Sequence, residues 1–87
     1  MTLTDTIQSA IKSNRAIIGF EESIKYMKLN KAKTIIIASN SPNTIKEEIG
    51  KIANVAKSKV EIFEGSSKDL GIACGKPFAV TTIVIKG

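Results

Sequence analysis

Glu21 and Glu22 stand side by side, Cys74 is the single cysteine, and Gly71 and Gly75 lead into Lys76, in a chain of 87 residues without histidine. These are the residues whose types could do chemistry. Lack of histidine excludes Ser-His-Asp and Cys-His catalysis and almost every catalytic zinc site. Gly71-x-x-x-Gly75-Lys76 fails as a phosphate-binding loop. That motif needs four residues between its glycines and Ser or Thr after the lysine; here there are three, and Pro77 follows. The segment also falls within a predicted helix, where Gly71 serves packing and Gly75 a left-handed helix end. Glu21 and Glu22 open a helix, where the macrodipole favours them, and nothing marks a matched acid–base pair. Cys74 falls on an apolar face, as a core thiol rather than a nucleophile. A single cysteine rules out an internal disulfide and fits a reducing compartment. We expect no enzyme, no cofactor and no metal.

Charge is the stronger signal. Thirteen basic residues against eight acidic give +5, a balance that favours an anionic partner. Between Lys12 and Lys33, Lys12, Arg15, Lys25, Lys28, Lys31 and Lys33 face only Glu21 and Glu22, a net +4. Aromatic residues make up 5%, too few for base stacking across a sheet surface. A hydrophobic content of 43% supports one small core. No stretch reaches the roughly 20 apolar residues of a membrane span, and the N-terminus does not read as a secretory leader. No membrane partner is expected.

The elements that must position these groups follow from periodicity. Leu3, Ile7, Ala10 and Ile11 share one helical face, with Thr2 and Asp5 suited to its start. Ala16–Phe20 reads as a short buried strand. Glu22–Asn30 reads as a helix with Ile24 and Met27 inward and Lys25 and Lys28 outward. Thr34–Ala38, with three consecutive isoleucines, fits a central strand buried on both faces. Ser41 is expected to cap a third helix with Pro42 at its first position. That helix stripes Ile45, Ile49, Ile52, Ala53 and Ala56, and Glu47 pairs with Lys51 outside. Val60–Phe63 alternates as a half-buried edge strand. Ser66 and Asp69 form a capping box for a fourth helix carrying Leu70, Ala73 and Cys74. Phe78–Ile85 reads as the last strand. Alternating helices and strands imply an α/β fold, a largely parallel sheet between two helical layers. Three loops then stand out: Gly19-Phe20-Glu21-Glu22-Ser23, Ser39-Asn40-Ser41-Pro42 and Gly75-Lys76-Pro77-Phe78. The first two open helices, whose N-terminal amides suit phosphates. The third reaches the same end if the last strand runs the opposite way.

Three blocks in this chain are similar to a known family: Ala32-Lys33-Thr34-Ile35-Ile36-Ile37-Ala38-Ser39-Asn40-Ser41-Pro42, Phe63-Glu64-Gly65-Ser66-Ser67-Lys68-Asp69-Leu70-Gly71, and Ala73-Cys74-Gly75-Lys76-Pro77-Phe78-Ala79-Val80. They resemble the archaeal and eukaryotic large-subunit ribosomal protein family L-thirty-e, within the kink-turn RNA binders that include L-seven-Ae. The resemblance runs from about Ile11 to Ile85. It implies a three-layer α/β/α sandwich on a four-stranded mixed sheet with the last strand antiparallel. It implies residues 1–87 as a single RNA-binding domain, monomeric when free, in the cytoplasm on the ribosome. The implied partner is a kink-turn in ribosomal RNA, with other ribosomal proteins as neighbours; another ribonucleoprotein, such as an RNA-modification particle, is the alternative. By this resemblance the three loops, Gly19 to Ser23, Asn40 with Ser41, and Gly75 to Phe78, form the RNA site. Gly19 gives close backbone approach and Asn40 contacts nucleotides. Phe78 and Val80 pack on an unstacked base, while Lys25 and Lys28 meet phosphates. Family members commonly carry a basic residue after the loop glycine, where this chain has Glu21 and Glu22.

Overall fold

The computed structural model describes residues 3–30 and 32–86. The expected Thr2 cap and the charge of Lys31 lie outside them. The elements are α1 (Leu3–Lys12), β1 (Ala16–Ile18), α2 (Phe20–Leu29), β2 (Ala32–Ala38), α3 (Asn43–Ala56), β3 (Lys59–Phe63), α4 (Ser67–Ala73) and β4 (Thr82–Lys86). The sheet order is β1-β4-β2-β3, with β4 antiparallel to both neighbours and β2 parallel to β3. Alternation of elements suggested a largely parallel sheet, yet two of the three pairings are antiparallel. The reason lies in the stretch after β3. Helix α4 has only seven residues, and the chain doubles back along it, so β4 enters the sheet from the end where β1 and β2 finish.

The two helical layers follow the alternation of side chains on β2 and β4. Ile36, Ile83 and Ile85 pack with Ile7 and Ala10 of α1 and Leu70 of α4. Ile35, Ile37 and Val84 pack with Ile24 and Met27 of α2 and Ile49 and Ala53 of α3. The isoleucine run of β2 is buried on both faces, as its composition required. At roughly 1.5–3 kcal/mol per fully buried aliphatic side chain, these residues dominate the apolar stabilisation.

The edges depart from the sequence pattern. Strand β1 is a half-buried edge strand of three residues, not a buried one, and Phe20 already belongs to α2. On the other edge strand, β3, Val60 and Ile62 are 37% and 49% exposed, because no further strand shelters them. Glu47 and Lys51 form no ion pair among the described residues, where Lys25–Glu22 and Lys59–Glu61 are the pairs found.

Residues 78–81 are loop rather than strand, because the segment is drawn onto α4 instead of into the ladder. The Lys76 N–H donates to the Gly71 carbonyl and the Val80 N–H to the Ser67 carbonyl, each at 2.9 Å. Gly71 permits this approach: a Cβ there would lie 2.0 Å from the Phe78 carbonyl oxygen. Gly75, at φ +73°, turns the chain out of the helix as expected.

Candidate nucleic-acid interface

The C-terminal ends of β1, β2 and β3 and the start of β4 share one pole, and backbone bonds lace their loops together there. The Gly19 N–H donates to the Thr82 carbonyl and the Ala38 N–H to the Thr81 carbonyl, both at 2.9 Å. The Ser41 hydroxyl donates to the same Thr81 carbonyl at 3.4 Å. This inward turn explains why Ser41, 5% exposed, does not cap α3. Pro42 takes the cap position, with no side-chain hydrogen bond. The β2–α3 loop is tied in turn to the β3–α4 loop. Ser39 donates to the Gly65 carbonyl through N–H and hydroxyl. The Ser67 N–H, first in α4, donates to Asn40 Oδ1 at 2.8 Å.

That last bond orients Asn40. Its carbonyl oxygen is engaged and the residue is exposed, which leaves its amide group to donate to an acceptor such as a base carbonyl, ring nitrogen or phosphate oxygen. Gly19, at φ +108°, occupies backbone that side chains rarely adopt, and a Cβ there would meet nothing within 4 Å. The surface over it is open. Glu21 and Glu22 are exposed in the first turn of α2. Phe20 packs against the α2–α3 core. Ser23 is fully buried and its hydroxyl donates to the Gly19 carbonyl. It holds the loop's shape rather than meeting a ligand. Lys25 lies 3.9 Å from Glu22. Lys28 lies in the last turn of α2, about 12 Å along the axis from Phe20 at 1.5 Å per residue, toward the far pole.

In the third loop the structure divides two residues expected to act together. Phe78 is 57% exposed, with exposed Lys76 and Pro77 beside it. Val80 is 2% exposed in the core with Leu70 and Ile83. Its side chain therefore offers no face to an unstacked base, because the Val80–Ser67 backbone bond turns it under α4. Around Phe78 lies a depression of about 330 Å³ that includes Lys68 and Ile72. Sequence reading missed these two, although their i, i+4 spacing puts them on one helical face. What placed that face beside Phe78 was the close approach at Gly71. Cys74 is buried in the α1–α4 core. Burial pushes its thiol pKa up, opposed by the nearby Lys76 charge.

Residues 1–87 match the sequence model of the Ribosomal protein L7Ae/L30e/S12e/Gadd45 family. The chain belongs to that family. It is 39% identical over 84 residues to "Large ribosomal subunit protein eL30" of Branchiostoma belcheri, covering 97% of this chain and 74% of that protein. Against the protein of the same name from Saccharolobus solfataricus it is 39% identical over 79 residues, covering 91% and 73%. Against that of Methanobrevibacter smithii it is 35% identical over 85 residues, covering 98% and 86%. Among solved structures, a Bacillus halodurans protein of unknown function superposes with a TM-score of 0.86 at 19% identity, over 97% of this chain and 83% of that one. That likeness shows the fold. In this L7Ae/L30e family member, the laced loop pole brings together open glycine backbone, an exposed amide and an exposed phenylalanine beside two lysines.

Proposed function

We propose that this chain is a single-domain RNA-binding component of the large ribosomal subunit, acting without catalysis at the ribosome in the cytoplasm. We further propose that it grips a kink-turn in ribosomal RNA with its loop pole. The observation that carries the reading is Phe78, exposed at a loop held rigidly to α4 and bordered by Lys68 and Lys76. An unstacked base gains by stacking on such a ring while the two ammonium groups meet its phosphates. Family membership and relatives named as large-subunit proteins support the same reading. Asn40 supplies a polar contact to a base or phosphate, and Gly19 lets the backbone approach. In this role Phe78 acts directly, and Val80 acts by fixing the loop from beneath.

The test is Phe78→Ala, measured by thermal melts of the free protein and by titration with a kink-turn RNA. Binding should fall by roughly 1–3 kcal/mol, with melting barely changed. A stability loss of about 3–5 kcal/mol with unchanged affinity would make Phe78 a core residue and remove the reading's main support. Co-purification of the chain with the large subunit, read by mass spectrometry, tests the particle.

A further inference from the structure

The strands begin at the opposite pole, and the topology collects cations there. Lys12 ends α1, Arg15 leads into β1, Lys28 lies in the last turn of α2, Lys33 is near the start of β2, Lys57 follows α3, and Lys86 ends β4. Lys59, starting β3, is there too and lies 3.1 Å from Glu61. The other six form no ion pair among the described residues. Carboxylates gather at the loop pole instead, with Asp5, Glu21, Glu22 and Asp69 in first turns of helices. Helix dipoles favour this separation of signs.

A local irregularity sharpens the cluster. Ala32 pairs with Lys86 and Thr34 with Ile85, so Lys33 is the extra residue of a bulge. Ala32 and Ile35 both face the α2–α3 core despite their odd spacing. The bulge thus re-aims Lys33 toward the α1 side. There Lys33 and Arg15 line a depression of about 160 Å³ with the hydroxyl-bearing Thr6 and Ser9. The Arg15 carbonyl accepts from the Lys86 N–H at 2.8 Å, tying this turn to β4. On the other face Lys86 holds its ammonium 5.7 Å from the Tyr26 ring centroid. No exposed large hydrophobic side chain lines this depression, and the exposed Leu29 and Val55 of this pole lie at the ends of α2 and α3, on the other face of the sheet. A protein-binding core would need apolar or aromatic anchors, whereas nucleic-acid surfaces are polar and positive.

We propose that this pole is a second RNA-binding surface, centred on Arg15 and Lys33. It takes the phosphate backbone of a duplex segment distinct from the RNA held by the loops. The chain then joins two RNA segments through opposite ends. This goes beyond the loop-site reading and shares with it only RNA as the partner. The seven residues of β2 separate the poles by about 20 Å. That is roughly twice the screening length at moderate salt, so the two surfaces act independently.

The experiment uses the full chain saturated with a kink-turn RNA, then titrated with a short, uninterrupted, labelled RNA duplex at several salt concentrations. Wild type should form the ternary complex. Arg15→Gln/Lys33→Gln should weaken duplex binding about tenfold or more and flatten its salt slope by about 1.8. Its kink-turn affinity should stay within about twofold, since the loop pole lies beyond the screening length. The charge-preserving pair Arg15→Lys/Lys33→Arg should restore duplex binding. The single Gln variants keep the measurement available should the double variant melt early. Unchanged duplex affinity and slope in the Gln variants would overturn the proposal. So would competition of the duplex with the kink-turn RNA for one site, or ready displacement of the duplex by polyglutamate, which would assign the pole to an acidic protein. Phe78→Ala distinguishes the two readings: it bears on kink-turn binding alone, and duplex binding lost only in the Arg15/Lys33 variants sustains the second surface by itself.

Discussion

The N-termini of α4 and α2 lie at the same pole, and one is closed while the other is open. At α4, the Ser66 hydroxyl accepts from the Asp69 N–H, the Asp69 carboxylate accepts from the Ser66 N–H, and Asn40 accepts from the Ser67 N–H. At α2, Gly19 holds the cap position without any side-chain bond. The closed corner is a platform. The Ser67, Asp69 and Leu70 N–H groups are bonded within the protein, and the Ser67 carbonyl holds the 76–80 loop through Val80. The open corner has no side-chain cap among the described residues, only an uncovered glycine beside two carboxylates that balance the dipole but repel phosphate. Rigidity and receptivity are thus divided between neighbouring helix starts.

Three substitutions test that division. The largest effect is expected at Gly71→Ala, whose new methyl would collide with the Phe78 carbonyl oxygen. Backbone cannot rotate away as a side chain can, so denaturant melts should show a loss of about 3 kcal/mol or more. A loss well below 1 kcal/mol would mean the platform yields easily, and the contrast with α2 would weaken. Asn40→Ala comes next. It removes the 2.8 Å bond to Ser67 and should cost about 1 kcal/mol in the same melts, with weaker kink-turn binding from loss of the exposed amide. Unchanged stability would leave Ser66 and Asp69 as the whole closure. Glu22→Gln should show the smallest effect, about 0.3–1 kcal/mol from the helix dipole. An equal loss at Glu22 and Asn40 would erase the distinction between corners. Lost RNA affinity without lost stability would make Glu22 a base-reading residue instead.

These outcomes bear on residues whose legibility in the sequence differed sharply. The Ser66–Asp69 box was readable because its two partners are three residues apart. The Asn40–Ser67 bond spans 27 residues, and nothing in either residue type names the other. Phe78 and Val80 looked equivalent as apolar neighbours before a strand. In a strand, residues two apart would share a face; here the chain is loop, and the Val80 N–H bond to the Ser67 carbonyl turns Val80 under α4 while Phe78 stays outside. Ser41 had the chemistry of a cap and the right proline after it. Its hydroxyl instead donates to the Thr81 carbonyl in the loop before β4, which turns the side chain inward and away from the helix start.

Periodicity, capping pairs and turn glycines are properties of neighbouring residues. The order of eight elements, the burial of Ile35 to Ile37 and the net positive charge could therefore be read along the chain alone. Where those charges gather could not. It depends on the direction of β4, which depends on a seven-residue helix and on the absence of a side chain at Gly71. It depends also on a bulge that turns Lys33 toward Arg15. Such features arise from contacts between segments distant in sequence, whose energies exist only once the sheet is assembled. Residue types set what chemistry was available to this chain, and tertiary packing decided which groups share a pole.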